Sequence, residues 1–188
     1  MKKLIILASG SGTNAENLVR YFKKHPAIEV DCVLTNRPKA AVLTRCDRLN
    51  VAAFYFNKHA FAQGHALDHV KCIDPDLVVL AGFLWKIPKD WIAAFPHKIV
   101  NIHPALLPKH GGKGMYGQHV HHAVKKNNDT ETGITIHYVN ENYDEGNIIF
   151  QAKVAVFSGD SVDAISEKVQ KLEYEHYPKI IEKLLKNG

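Results

Sequence analysis

Asn101-Ile102-His103-Pro104 holds the residues of this chain best suited to chemistry. If the strand ending there runs on to His103, Asn101 and His103 project from the same face, because side chains along a strand alternate with period two. A carboxamide beside an imidazole can act on a carbonyl. The Asn N–H₂ donates to a developing oxyanion; the His donates as well, or moves a proton near neutral pH. Pro104 and Pro108 stiffen the exit from the pair. A second candidate is the glycine loop Ser9-Gly10-Ser11-Gly12-Thr13-Asn14. Glycines let a ligand approach the backbone closely, and a helix start offers unpaired N–H groups to an anion, with phosphate the natural occupant. Asn14 is placed either to cap that helix or to touch the ligand. Gly10-x-Gly12-x-x-Ala15 also fits a dinucleotide-binding fingerprint, which expects an acid about 20 positions on. The second strand ends Leu34-Thr35-Asn36-Arg37 without one, so that match leaves only an NADP-type reading through Arg37.

With 12 histidines in the chain, a single one carries little weight. His25, His59, His97 and His110 read as surface residues. His65 and His69 stand at the i,i+4 spacing of zinc ligands, but the glutamate of an HExxH motif is missing. His119 and His121 fall on different faces of one helix, and no metal is expected. His137, inside a strand, is open between core and cleft. Cys32, Cys46 and Cys72 are odd in number and lack CxxC spacing, so they read as buried free thiols.

The elements that must position these residues alternate between short apolar runs and helical segments, the mark of an α/β protein. Strands are expected at Lys3–Ala8, Val30–Leu34, Val51–Tyr55, Asp76–Ala81, Ile99–Ile102, Gly133–Val139 and Ile148–Val156. Helices are expected at Asn14–Lys24, Ala40–Leu49, His59–Cys72, Pro88–Phe95, Gln118–Lys126 and Val162–Lys186. The fold class is then an open, mostly parallel twisted sheet of about seven strands with helices on both faces, as a single domain over residues 1–188. The long loop Pro104–Gly117 is of the kind that usually carries function.

Composition narrows the classes. At 188 residues, 46% hydrophobic and 23% charged, the chain reads as globular. No apolar run approaches the ~20 residues of a membrane span. The first apolar segment is too short for a signal peptide, and a cytoplasmic location is expected. The net charge of +5 is scattered, with no basic–aromatic stripe. It suits small anionic substrates rather than nucleic acid or a membrane.

Ser9-Gly10-Ser11-Gly12-Thr13-Asn14, Leu80-Ala81-Gly82-Phe83, Asn101-Ile102-His103-Pro104-Ala105-Leu106-Leu107-Pro108 and Tyr143-Asp144-Glu145-Gly146 occur in that order. In this combination the chain resembles the phosphoribosylglycinamide formyltransferases, folate-dependent enzymes of purine synthesis, over nearly its whole length. The resemblance implies a Rossmann-like N-terminal half and 10-formyltetrahydrofolate as formyl donor, with no metal. It implies Asn101, His103 and Asp144 as catalytic residues, with a carboxylate near His103 raising its pKa. The ribonucleotide phosphate would lie on Gly12, Thr13 and Asn14, with Gln170 and Glu173 contacting the rest of that substrate. Leu84, Trp85, Lys86 and Ile87 would receive the pterin, Lys58 would lie near the benzoylglutamate, and Asn140 to Asp144 would form a folate-binding loop. Partners would be small molecules, and the protein a monomer or homodimer. Two departures stand out: Trp85 where a basic residue is common, and a longer loop at 109–117. Deformylases share the catalytic trio but usually carry an N-terminal regulatory domain. Methionyl-tRNA formyltransferases need a C-terminal RNA-binding domain, for which 188 residues leave little room.

Overall fold

The structure, a computed structural model, describes residues 1–187. Seven strands, β1 (Lys2–Leu7), β2 (Ile28–Thr35), β3 (Ala52–Tyr55), β4 (Leu77–Leu80), β5 (Ile99–His103), β6 (Glu131–Tyr138) and β7 (Ile148–Ala155), form one sheet. Their order is β3-β2-β1-β4-β5-β6-β7. β1 to β5 run parallel, while β6 and β7 are antiparallel additions at one edge. The open, mostly parallel sheet expected from the sequence is therefore the one observed.

Parallel neighbours need crossovers, which helices supply. These are α1 (Thr13–Phe22), α2 (Ala41–Leu49), α3 (Lys58–Ala62), α4 (His65–Ile73) and α5 (Lys89–Ala94), followed later by α6 (Gln118–Lys126) and α7 (Val162–Asn187). Because the central strands are buried on both faces, their sequences are apolar throughout, and alternate residues feed two separate cores. Leu4, Ile6, Val33 and Val79 pack under α1, α2 and α7 with Leu18, Phe22, Val42, Val169 and Ile181. Ile5, Leu7, Leu34, Val78 and Leu80 pack under α3, α4 and α5 with Phe61, Leu67, Val70 and Trp91. Each fully buried aliphatic or aromatic side chain contributes about 1.5–3 kcal/mol relative to exposure.

The single helix expected over His59–Cys72 is instead two. Gly64 adopts φ 84 as the N-cap of α4, a left-handed conformation that ends one helix and starts the next. In the other direction, α7 continues through Pro178. A proline there leaves the carbonyl of Tyr174, four residues back, without its helical donor. Asn17 of α1 takes that place, its Nδ2 donating to the Tyr174 oxygen at 3.0 Å.

Chain direction across the sheet reverses beside β1. The path β1–α1–β2–α2–β3 runs one way, and β4 then returns to the other side of β1. In open sheets ligands bind at such a switch point, outside the carboxyl ends of the strands. Here the Ser9 N–H donates to the Gly82 carbonyl at 3.1 Å, and Leu84 N–H donates to Ser9 Oγ at 2.9 Å. These bonds tie the loop after β1 to the loop after β4. Tyr177 of α7, fully buried, donates its hydroxyl to the Leu80 carbonyl at 2.9 Å and fixes the end of β4 from the other side.

Candidate active site

A cleft of about 580 Å³ opens at the carboxyl ends of β1, β4 and β5. That volume is in the range of small-molecule sites. Its walls are the glycine loop 10–14, the segment 80–87, the strand end 101–104, the loop 112–117, parts of β6 and the 139–144 turn, and one face of α7.

β5 does persist to His103, so Asn101 and His103 share a face while Val100 and Ile102 point into the core. Antiparallel pairing sets His137 opposite Asn101 and Thr135 opposite His103. His137, left open by the sequence, is thus a cleft residue held in the sheet. Its Nδ1 lies 2.9 Å from the Tyr138 carbonyl, which can only accept, so Nδ1 carries the proton in the neutral ring. Nε2 is then an acceptor for Asn101 Nδ2 at 3.2 Å. This contact fixes the orientation of the Asn101 amide and leaves its second N–H uncommitted.

Asp144 arrives from the turn after β6, in the left-handed region at φ 56, which Asp tolerates better than most residues. Its Oδ2 is 3.5 Å from His103 Nδ1 and its Oδ1 is 3.6 Å from His137 Nε2. The Gly112 N–H donates to Oδ2 at 2.9 Å. Burial works to raise the Asp144 pKa, but the His137 and His103 imidazoles beside it and the Gly112 N–H together hold it below the usual carboxylate value. His103 departs from expectation. Burial is the largest influence and lowers its pKa, outweighing the Asp144 carboxylate and the His110 carbonyl, which raise it. A neighbouring carboxylate was expected to win, but the ring is only 3% exposed and desolvation disfavours its charged form more.

The turn between β5 and the 109–117 loop is held by Thr135. Its hydroxyl donates to the Ala105 carbonyl at 2.7 Å and accepts from the Leu107 N–H at 3.0 Å and from Gln151 Nε2 at 2.8 Å. His110 is a second correction: far from lying on the surface, its side chain is only 10% exposed and bonded to Asp129. His25 is likewise half-buried against Glu182, whereas His59 and His97 are exposed as expected.

On the opposite wall, Gly12 adopts φ 74 as the N-cap of α1. A Cβ there would sit 2.3 Å from Val42 Cγ2, so only glycine fits between loop and α2. Asn14 does not cap α1; its Nδ2 donates to Glu173 Oε2 at 2.9 Å across the cleft floor. Burial pushes the Glu173 carboxyl up to about 7, against the opposing Asn14 hydrogen bond. Thr13, Gln170, Ser166 and Val169 line the same end.

Leu84, Trp85, Lys86 and Ile87 form the far wall with Asn140 and Tyr143. Trp85 is half-buried, its ring packed against Phe56, Phe61 and Phe83. Lys86 Nζ lies 5.9 Å from the centre of the Tyr143 ring. Lys58 is not brought to the cleft; it stands exposed at the start of α3. Residues 112–117, part of the long loop the sequence marked as functional but gave no contact role, line it, as does His121. A glycine-rich stretch closing a long loop at a strand end was the available signal. His121 is buried, and burial followed by its histidine neighbours lowers it to about 4. Its neighbour His119 is exposed. Among the described residues, no three His, Cys, Asp or Glu side chains are gathered as a metal ion requires, and no helix is long and apolar enough to cross a membrane. Cys32 and Cys46 are buried free thiols, but Cys72 is exposed, because it falls on the outer face of α4.

The fold and cleft define an open-sheet α/β domain with a small-molecule-sized cleft whose polar centre is a carboxamide, two imidazoles and a carboxylate. Comparison with known proteins narrows the class: residues 2–181 match the formyl transferase model, and the chain belongs to that family. It is 33% identical to phosphoribosylglycinamide formyltransferase of Bacillus subtilis over 192 residues, 98% of this chain and 95% of that one. Among solved structures it is similar to glycinamide ribonucleotide transformylase 1 of Geobacillus kaustophilus (TM-score 0.89, 34% identity, covering 98% of this chain and 99% of that one). The corresponding protein of Symbiobacterium toebii gives TM-score 0.91 at 29% identity, covering 100% and 89%.

Proposed function

We propose that the protein transfers the formyl group of 10-formyltetrahydrofolate to the primary amine of glycinamide ribonucleotide. The observation that carries this reading is the convergence of Asn101, His103 and Asp144 in one cleft with a glycine loop at its other end. The ribonucleotide phosphate lies on Gly12, Thr13 and Asn14, where α1 begins, and Gln170 and Glu173 contact the remainder of that substrate. The pterin takes the wall formed by Leu84 to Ile87 with Asn140. Lys58, remote from the cleft, reaches at most the outer end of a long folate.

The amine attacks the formyl carbon, forming a carbon–nitrogen bond and a tetrahedral oxyanion. The uncommitted N–H of Asn101 donates to that oxygen. His103, kept neutral by burial, takes up the proton the amine loses. The imidazolium then faces ionised Asp144 and stands near the oxyanion, so its charge appears only as the negative charge develops, a stabilisation absent in the ground state. The proton passes to N10 of the folate as the carbon–N10 bond breaks. Tetrahydrofolate and the formylated ribonucleotide leave, and atoms and charge balance.

The test is tetrahydrofolate release from 10-formyltetrahydrofolate, followed by absorbance, with and without glycinamide ribonucleotide. Release dependent on the ribonucleotide, with formylated product, supports the reading. Equal release without it, accompanied by formate, assigns water as acceptor and rejects the transferase.

A further inference from the structure

We propose that His110 and Asp129 are positioning residues that fix the proton of His103 on Nε2 and so keep Nδ1 free as the base. The kinetic part of this proposal rests on the function proposed above; the structural part does not.

His103 Nε2 lies 2.8 Å from the His110 carbonyl oxygen. A carbonyl only accepts, so in the neutral ring Nε2 bears the hydrogen and the Nδ1 lone pair faces Asp144. Without that carbonyl, the ionised Asp144 carboxylate would favour the opposite tautomer, with Nδ1–H donating to it. His103 would then have no free nitrogen on the Asp144 side of the cleft to receive a proton.

The carbonyl is in place because His110 adopts φ 54, a left-handed conformation that few side chains take up. A local anchor holds it there. His110 Nε2 is 2.5 Å from Asp129 Oδ2, and Lys109 Nζ is 3.8 Å from Oδ1 of the same carboxylate. Asp129 is itself fixed by the turn after α6, its N–H donating to the Val124 carbonyl at 3.2 Å. Neither His110 nor Asp129 lines the cleft, so both act through His103. The chain Asp129–His110–His103 thus ties the reactive imidazole to a turn outside the cleft.

The test uses the full chain labelled with ¹⁵N and carrying His110→Gly, Asp129→Ala or Asp129→Asn. Glycine keeps the left-handed conformation accessible while losing the imidazole anchor. Long-range ¹H–¹⁵N spectra read the His103 tautomer directly, and steady-state kinetics are measured alongside. The wild type is expected to show the Nε2–H form. His110→Gly and Asp129→Ala move His103 toward the Nδ1–H form and lower kcat roughly 10- to 100-fold, with both KM values changing by no more than about two-fold. Asp129→Asn keeps an acceptor oxygen and retains the tautomer and most of kcat. An unchanged His103 tautomer in folded His110→Gly and Asp129→Ala overturns the proposal, as does a tautomer change that leaves kcat intact. If the wild type transfers no formyl group, the proposed function fails by itself, and the spectra alone decide the positioning.

Discussion

Asn101 offers two amide N–H groups, and His137 determines how they are used: one is held at 3.2 Å from the imidazole, and the other is the oxyanion donor of the proposed mechanism. Removing an oxyanion donor typically costs 10²–10³ in turnover. Asn101→Ala and His103→Ala are each expected to lower kcat by about that factor with KM little altered. A loss confined to KM in steady-state assays would remove both residues from the chemical step. In the proposed mechanism His103 must be neutral to accept a proton, and burial places its pKa below the ordinary 6.5. The rate therefore falls as pH drops through that lowered value. Asp144 works to raise the His103 pKa, so Asp144→Asn should move the acid limb of kcat/KM to lower pH, besides reducing the rate. A limb that stays in place would uncouple the two groups. The Asn101–His103 pair was legible because strand side chains alternate; the direction of the His103 shift was not, because burial is set by chain segments distant in sequence. His110 was misread for the same reason: Asp129, which covers it, is 19 residues away.

α1 and α7 meet along a polar seam. His25, just past the end of α1, meets Glu182, and Asn14, Asn17 and Tyr21, three or four residues apart on α1, contact Glu173, the Tyr174 carbonyl and Glu182 on α7. The spacing puts them on one helical face. Asn17 matters most here because Pro178 leaves the carbonyl it serves without a helical donor. Asn17→Ala is expected to lower stability by about 1 kcal/mol, or roughly 2–4 °C in Tm for a chain of this size. In a Pro178→Ala background the backbone N–H returns, and the same substitution should cost clearly less; equal costs in the two backgrounds would show that Asn17 acts elsewhere. Apolar periodicity revealed both helices to within a few residues. It did not reveal the break at Gly64, since a glycine inside a helical pattern is as often tolerated as decisive. Nor did it reveal the seam, whose members are polar and pair across the whole length of the chain.

The order of elements was legible, because alternating strands and helices leave few topologies open. The antiparallel direction of β6 and β7 was not, since short apolar runs carry no sign of direction. At this scale stability depends on pH through two groups buried by the packing of separate elements, Glu173 of α7 and His121 of α6. Glu173 is raised from 4.5 to about 7, so between those values the folded state holds a proton that the unfolded state has lost. Its contribution to stability is therefore full at low pH and lost as pH rises through about 7. Glu173→Gln should raise Tm by a few degrees at pH above 7 and by little at pH below 4.5, read by thermal melts across that range. A uniform gain would mean the carboxyl ionises freely. His121 acts in the opposite sense: with its value lowered from 6.5 to about 4, the unfolded chain gains the proton first and stability falls as pH drops between them. The antiparallel pairing of β5 with β6 has a consequence beyond geometry. A slip of one residue would turn His137 and Thr135 away from Asn101 and His103 and bring Ile136 with Ile134 or Tyr138 into their places. Such a molecule would keep most of its backbone bonds yet have no working centre. Catalysis thus serves as a gauge of register: the active fraction of a preparation counts the molecules in which the last strands have docked correctly, which a spectrum of secondary structure cannot do.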